Sequence, residues 1–258
     1  MSPYASLSTA QKFSLLGALY FSQGLPFGFF TQALPVILRE RGFSLAEIGL
    51  SSMLALPWAL KFLWAPAVDR YALPGLERRK SWILPLQLAV ALTLVFLSLV
   101  DALSHLRLLL VAVFLINLLA ATQDIATDAL AVEALRPTER GLANGLQVAG
   151  YRVGMIVGGG LLLILFDALG PLRTFLAMAA LTILATAPLL RTRTAAAASA
   201  EAREPGIARP REAAASPPHF LRRPGAMGIL LLLTSYKFGD AFATSMLRPF
   251  LVDAGLGL

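Results

Sequence analysis

The chain has 258 residues, of which 57% are hydrophobic and 14% are charged. Soluble globular proteins carry about 25% charged residues, and the mean hydropathy here is +0.71. Too little polar surface remains to cover a water-soluble protein of this size. Cysteine is absent, which excludes a disulfide-linked secreted scaffold. The net charge of +7 does not by itself indicate nucleic-acid binding, because membrane proteins concentrate basic residues in cytoplasmic loops. The composition predicts a polytopic membrane protein.

Seven apolar stretches are long enough to cross a membrane as helices. A spanning helix needs about 20 mainly apolar residues, whereas the strands of a membrane barrel have about 10 residues of alternating polarity. The sequence therefore predicts an all-α fold. The predicted spans are 12–38, 45–68, 82–101, 106–132, 141–166, 171–190 and 225–250.

The spacing of these spans predicts three parts. Residues 1–190 hold six spans and are expected to form an N-terminal six-helix half. Residues 191–224, rich in Ala, Pro, Arg and Glu, lack hydrophobic periodicity and are expected to be a flexible cytoplasmic linker. Residues 225–258 would hold the first helix of an incomplete second half, as in a two-half transporter cut just past its middle. We therefore expect a truncated chain.

The distribution of basic residues predicts the orientation. Most of the 22 lysines and arginines lie on the N-terminal flank and in the loops that follow the even-numbered spans. Because loops rich in Lys and Arg stay on the cytoplasmic side, the N-terminus is expected to be cytoplasmic.

Ionisable and amide side chains fall inside the predicted spans, where they are costly and generally face a cavity or a partner. They include Gln23 in span 1, Lys61 in span 2, Asn117, Gln123, Asp124 and Asp128 in span 4, Arg152 in span 5, and Lys237 and Asp240 in span 7. At 1.5 Å per residue, Asp124 and Arg152 lie at similar depths on consecutive antiparallel helices. An Asp124–Arg152 ion pair is therefore expected, with Lys61 at a comparable level.

Two interpretations of these charges stay open. They can form a structural ion pair that fixes the bundle. They can instead line a central cavity, where Lys61 and Arg152 hold substrate anions, with Gln23, Asn117 and Gln123 as further substrate contacts. A carboxylate would then carry a proton, and the candidates are Asp124, Asp128 and Asp240. The two interpretations are compatible if the pair exchanges partners when substrate binds.

The loop between spans 2 and 3 carries a second charged pattern, with Asp69 and Arg70 followed by Arg78 and Arg79. One interpretation of this charged pattern is a basic turn that only sets the orientation of the chain in the membrane. The functional alternative is a conformational switch, in which Asp69 and the arginines pair with cytoplasmic helix ends in one state and release them in another.

Two further features bear on packing and chemistry. Glycines in span 5, spaced mostly by four residues, predict close packing against another helix; they are Gly141, Gly145, Gly150, Gly154 and Gly158.

The two histidines, His105 and His219, fall in a predicted outer turn and in the linker. No metal-ligand spacing or catalytic constellation is present, so we expect no enzyme, no metal and no cofactor.

Several short motifs carry a family resemblance. They are Ser22–Pro26, Lys61–Pro66 leading to Asp69–Tyr71, Gln123–Ala129, Gly150–Met155 and Tyr236–Ala243. Together they resemble the AmpG-type muropeptide permeases and the related acetyl-CoA transporters of the major facilitator superfamily. The loop after span 2 resembles the superfamily's signature there, with Ala65 in place of the usual glycine.

The resemblance implies a transporter that works by alternating access. Its family function is proton-coupled import of anhydromuropeptides across the bacterial inner membrane for cell-wall recycling. The implied partners are a small anionic solute, protons and the lipid bilayer. The alternatives are an acetyl-CoA carrier, another anionic-solute carrier, and a non-transporting fragment or scaffold.

Overall fold

The computed structural model describes residues 4, 7–72, 76–100, 105–192, 224–229, 231–232 and 235–236. Residue contacts divide the chain into two compact units, Met1–Gly206 and Ile207–Leu258. Most of the predicted linker and of the predicted seventh span, including Lys237 and Asp240, lies outside the described residues. The division into 1–190, 191–224 and 225–258 therefore stays a prediction.

Six helices are long and apolar enough to cross a membrane, counted over the described residues. They are span 1, Thr9–Glu40; span 2, Ala46–Leu63; span 3, Arg78–Leu99; span 4, Leu106–Ala134; span 5, Pro137–Phe166; and span 6, Ala168–Arg191. Each overlaps one of the first six predicted stretches. The all-α, polytopic membrane fold is confirmed.

Span 1 is a helix with one irregular turn. An α-helix, Thr9–Gly28, passes through a π-helical turn, Phe29–Ala33, into a second α-helix, Leu34–Glu40. The first helix begins with a capping box, in which the Ser8 hydroxyl accepts from the backbone N–H of Gln11 and the Gln11 side chain accepts from the Ser8 N–H.

Span 2 is broken into short pieces. The α-helical pieces are Leu45–Ser51, Leu56–Leu60 and Ala65–Arg70, and the 3₁₀ turns Ser52–Ala55 and Lys61–Leu63 separate them. Pro57 and Pro66 stand in the first turn of a new α-helical piece. Because proline lacks a backbone donor, it is tolerated at a helix start and kinks or breaks a helix elsewhere.

Spans 3 and 4 are single α-helices, and spans 5 and 6 share one continuous run. Span 5 starts with a 3₁₀ turn, Pro137–Glu139, and continues as α-helix Arg140–Ile156 and π-helical turn Val157–Leu161. The next helix, Leu162–Leu184, is interrupted at Gly170, whose φ of 80° is accessible to glycine at little cost. This break lies near the start of span 6, and Ala187–Arg191 ends that span.

Spans 1 and 5 pack backbone to backbone. A Cβ atom added to Gly158 would overlap the carbonyl oxygen of Leu25, and one added to Gly154 would overlap that of Phe21. Only glycine allows an approach this close. The close packing expected from the span 5 glycines is confirmed here, whereas Gly141 and Gly145 face open space.

The core of the unit Met1–Gly206 consists of two apolar clusters. One lies toward the end that carries the start of span 1, and it includes Leu15–Leu19, Ile83, Leu130 and Leu189. The other lies farther along the bundle and includes Phe29 and Leu34 of span 1, Leu94 of span 3, Val113 of span 4 and Phe175 of span 6. On each of spans 1, 3, 4 and 6 the chain passes from one cluster to the other, so a level between them is left for polar side chains.

Candidate functional site

Buried polar side chains occupy the level between the two apolar clusters, and we call this set the polar band. Its members are Ser22, Gln23, Gln87, Asn117, Gln123, Asp124, Thr127, Thr182 and Thr186, each less than one tenth exposed. They come from spans 1, 3, 4 and 6. A polar layer at one depth in an apolar bundle is the arrangement expected of a solute or ion pathway.

An ion pair between spans 2 and 4 closes one side of the polar band. The Lys61 ammonium donates to the Asp124 carboxylate. The Asp124 side chain is 11% exposed and that of Lys61 is 32% exposed. The ammonium also lies 5.8 Å from the centre of the Trp58 ring, where a cation is attracted to the aromatic face.

The broken helix of span 2 explains why Lys61 reaches span 4. Trp58, Lys61 and Trp64 are spaced by three residues around the 3₁₀ turn, so they share one side of the span. The Trp58 indole donates to Asn117 at 3.0 Å, and the Trp64 indole donates to Thr122 at 3.1 Å. Three consecutive contacts thus fix this side of span 2 on span 4.

The predicted Asp124–Arg152 ion pair is wrong. Asp124 pairs with Lys61, and Arg152 is exposed, with no ion pair to any residue that the structure describes. Arg152 is two residues from both Gly150 and Gly154, and at about 100° per residue it lies on the opposite side of span 5 from them. Because the glycine side packs against span 1, Arg152 is turned away from span 1.

Asp128 has neutral partners. The Tyr20 hydroxyl donates to Asp128 Oδ1 at 2.8 Å, and the Gln147 amide donates to the same oxygen at 3.4 Å. Over the described ranges, no lysine or arginine pairs with this carboxylate. Asp124 and Asp128 lie one turn apart on span 4, close enough for their charges to repel each other.

The buried amides form a second line of contacts across the band. Gln87 in span 3 donates to the Ser22 hydroxyl at 2.9 Å and accepts from the Thr186 hydroxyl at 3.1 Å. Gln23 donates to the Thr127 hydroxyl at 3.2 Å.

Two buried amide atoms have no partner in the described part of the chain, Gln23 Oε1 and Gln123 Nε2. One is an acceptor and the other a donor. Buried amide atoms are nearly always hydrogen-bonded, so these two are suited to water or to polar groups of a solute.

A charged cluster holds the ends of spans 2, 3 and 4 together. Arg79 bonds Asp69 at 2.8 Å and Glu133 at 2.8 Å, and Arg78 bonds Glu133 at 3.0 Å. The structure thus brings together three of the four predicted switch residues. Arg70 is exposed, with no salt bridge to the described residues. Sequence reasoning missed Glu133.

Nearby, the Tyr4 hydroxyl donates to Glu77, the residue that caps the start of span 3. Burial and the Glu77 carboxylate both raise the pKa of the Tyr4 phenol, so Tyr4 stays neutral and remains a donor.

A second charged cluster at the same end was also missed. Lys12 in span 1 and Glu139 in span 5 form a buried ion pair of 3.1 Å, and Thr9 donates to Glu139 at 2.8 Å. Arg136 bonds the same carboxylate at 2.8 Å, and this hydrogen bond raises the pKa of the Arg136 guanidinium. The sequence did contain a clue to this pair, because Lys12 and Glu139 both lie near span ends that are expected on the same side of the membrane.

Comparison with known proteins identifies the family. The family model described as acetyl-coenzyme A transporter 1 matches residues 12–168. An uncharacterized protein of Haemophilus influenzae is 38% identical over 245 residues, which cover 91% of this chain and 56% of that protein. The anhydromuropeptide permease of Escherichia coli is 33% identical over 266 residues, which cover 98% of this chain and 52% of the permease.

The chain spans about half the length of these curated relatives. The family match covers span 1 to the start of span 6, including the Lys61–Asp124 pair and most of the polar band. The chain belongs to the family whose model is described as acetyl-coenzyme A transporter 1, and it is similar to the anhydromuropeptide permease of Escherichia coli.

Proposed function

We propose that the protein takes part in proton-coupled import of anhydromuropeptides across the bacterial inner membrane by alternating access. The observation that carries the proposal is the Lys61–Asp124 pair, a part-buried ion pair at the polar band of a membrane bundle. The permease relative supports the choice of substrate, since it is 33% identical over 98% of this chain.

The pair suits a coupled exchange of charge. An anionic group of the solute competes with Asp124 for the Lys61 ammonium. Once Lys61 binds the solute, Asp124 is left as a buried carboxylate without a cation, and uptake of a proton removes that cost. Solute and proton would therefore bind together, which is the requirement for symport.

Other side chains have supporting roles in this proposal. Asn117, Gln123 and Gln23 contact polar groups of the solute, and the two unpartnered amide atoms are available for this. Arg152, exposed on span 5, offers a second cation for solute anions. Asp240 stays a proposed proton carrier outside the described residues, and Asp128 is the next carboxylate to consider on span 4.

The charged cluster of Asp69, Arg78, Arg79 and Glu133 would act as the conformational switch, with Arg70 beside it. Opening one side of the transporter would break its contacts at the span ends, and closing would restore them. Under the positive-inside rule this end and the N-terminus face the cytoplasm.

An uptake assay tests the proposal. Cells without their own uptake of anhydromuropeptide would produce the complete gene product and receive radiolabelled anhydromuropeptide under an inward proton gradient. We expect uptake that a protonophore abolishes, and loss of coupled uptake in Asp124→Asn at normal membrane abundance. The matched control is Glu40→Gln, an exposed carboxylate at the end of span 1. Uptake at an unchanged rate in the presence of the protonophore would contradict proton coupling.

A second candidate follows from the description of the family model, which names an acetyl-coenzyme A transporter. Acetyl-CoA is also a large anionic solute, and Lys61 and Arg152 could serve its phosphates. The same uptake assay with labelled acetyl-CoA distinguishes the two candidate substrates. Uptake of acetyl-CoA without uptake of anhydromuropeptide would replace the first proposal by the second.

A further inference from the structure

A polar cleft opens between spans 1, 4 and 5, on the side of the polar band toward the end that carries the Lys12–Glu139 pair. Its volume is about 420 Å³, within the range of pockets that hold small solutes. Its polar lining consists of Tyr20, Asp128, Arg140, Asn144 and Gln147. The remainder is apolar, with Leu16 and Ala143 on facing spans.

The cleft contains one anion and one cation that lack charged partners. Asp128 accepts both of its hydrogen bonds at Oδ1, and Oδ2 has none from the residues that the structure describes. Arg140 is exposed at the start of span 5 and makes no salt bridge within the described ranges. Although both groups line the same cleft, they do not pair with each other.

Asp128 differs in this respect from three other carboxylates of the bundle. Asp124 is compensated by Lys61, Glu139 by Lys12, and Glu133 by Arg79. A partly buried carboxylate such as Asp128 costs free energy unless a cation accompanies it, whereas Arg140 is exposed and its guanidinium is solvated. A ligand complementary to the cleft therefore carries a cation for Asp128 and an anion for Arg140.

We propose that this cleft binds a zwitterionic α-amino-acid group, with its ammonium on Asp128 and its carboxylate on Arg140. The inference rests on the proposed function and deepens it. The peptide of a muropeptide carries such a group where a diamino acid has a free amino-acid end. The amides of Asn144 and Gln147 are placed to bond adjoining peptide groups.

Ligands altered at one group test the ammonium contact. The two probes are an anhydromuropeptide with its peptide, and the same compound with the free amine acetylated. Binding is measured by calorimetry on the purified full-length protein in detergent. We expect acetylation to weaken binding to the unmodified protein about tenfold, equivalent to about 1.4 kcal/mol. In Asp128→Asn both probes should bind with equal, weakened affinity, whereas Glu40→Gln should keep the tenfold difference.

The carboxylate contact is tested in the same way. Amidation of the free carboxylate is expected to weaken binding several-fold, and Arg140→Gln should remove that difference. The matched control is Arg107→Gln, an exposed arginine at the start of span 4.

The outcomes separate this inference from the proposed function. If the disaccharide without peptide binds as tightly as the complete muropeptide, the cleft does not recognise the amino-acid group, while the transport proposal stands. If the acetylated and unmodified probes bind equally to the unmodified protein, the ammonium contact is absent. If neither the muropeptide nor the disaccharide binds, both proposals are overturned.

Discussion

Removing Lys61 should destabilise the protein more than removing Asp124. Asp124 is 11% exposed, so Lys61→Met leaves a carboxylate without a cation inside the bundle, which typically costs about 3–5 kcal/mol. Lys61 is 32% exposed, so after Asp124→Asn its ammonium can turn toward water at a cost of about 1 kcal/mol, the value of an exposed pair. The two partners of one ion pair therefore have unequal effects.

Thermal unfolding in detergent, followed by helical circular dichroism, measures this difference. For a unit of this size about 1 kcal/mol corresponds to about 2–4 °C. Lys61→Met is expected to lower Tm by about 6–20 °C, and Asp124→Asn by about 2–4 °C. The double variant Lys61→Met/Asp124→Asn should recover most of the loss, because no buried charge is left. Arg152→Gln, exposed and outside any ion pair in the described part of the chain, serves as the control.

Two results would refute the reasoning. If Lys61→Met lowers Tm no more than Arg152→Gln does, the ion pair contributes nothing to the stability of the fold. If the double variant is no more stable than Lys61→Met, the loss comes from the contact of Lys61 with Trp58 and not from the orphaned carboxylate.

Two further predictions concern packing and the span ends. Gly158→Ala should lower Tm by several degrees in the same assay, because the new Cβ would overlap the Leu25 backbone. Gly160→Ala should leave Tm unchanged, because Gly160 faces open space. Equal effects of the two variants on Tm would show that spans 1 and 5 separate easily. Arg79→Gln should lower Tm because it leaves Glu133 and Asp69 with fewer partners, whereas Arg70→Gln should leave Tm unchanged. A fall of the same size in both arginine variants would show that general basic charge, and not the specific bonds, matters at this end.

The spans were predictable because membrane thickness imposes a length and an apolar composition that a sequence window reveals. The fourth was predicted at 106–132 and runs over Leu106–Ala134. The second was predicted as one helix over 45–68, but its α-helical pieces are separated by 3₁₀ turns. Hydropathy records only that a segment lies in the membrane, and so it cannot show where prolines interrupt the hydrogen-bond ladder.

The partners of the buried charges were only partly predictable. Depth along a helix follows from counting residues, and Lys61, Asp124 and Arg152 do lie within helices that are long and apolar enough to cross a membrane. The direction around the helix axis depends on which side packs, and the glycine contacts of span 5 with span 1 decide this for Arg152. Glu133 and Glu139 were missed because charged residues at span ends are usually solvated, and only the tertiary structure shows their pairs.

Spans 1 and 5 have a mechanical property that follows from their glycine contact. With no side-chain layer between the two backbones, neither helix can slide or roll without driving main-chain atoms into its neighbour. The Lys12–Glu139 pair joins the same two helices at one end. We therefore expect the two spans to move as one rigid unit, so that a displacement of either span is transmitted to the other.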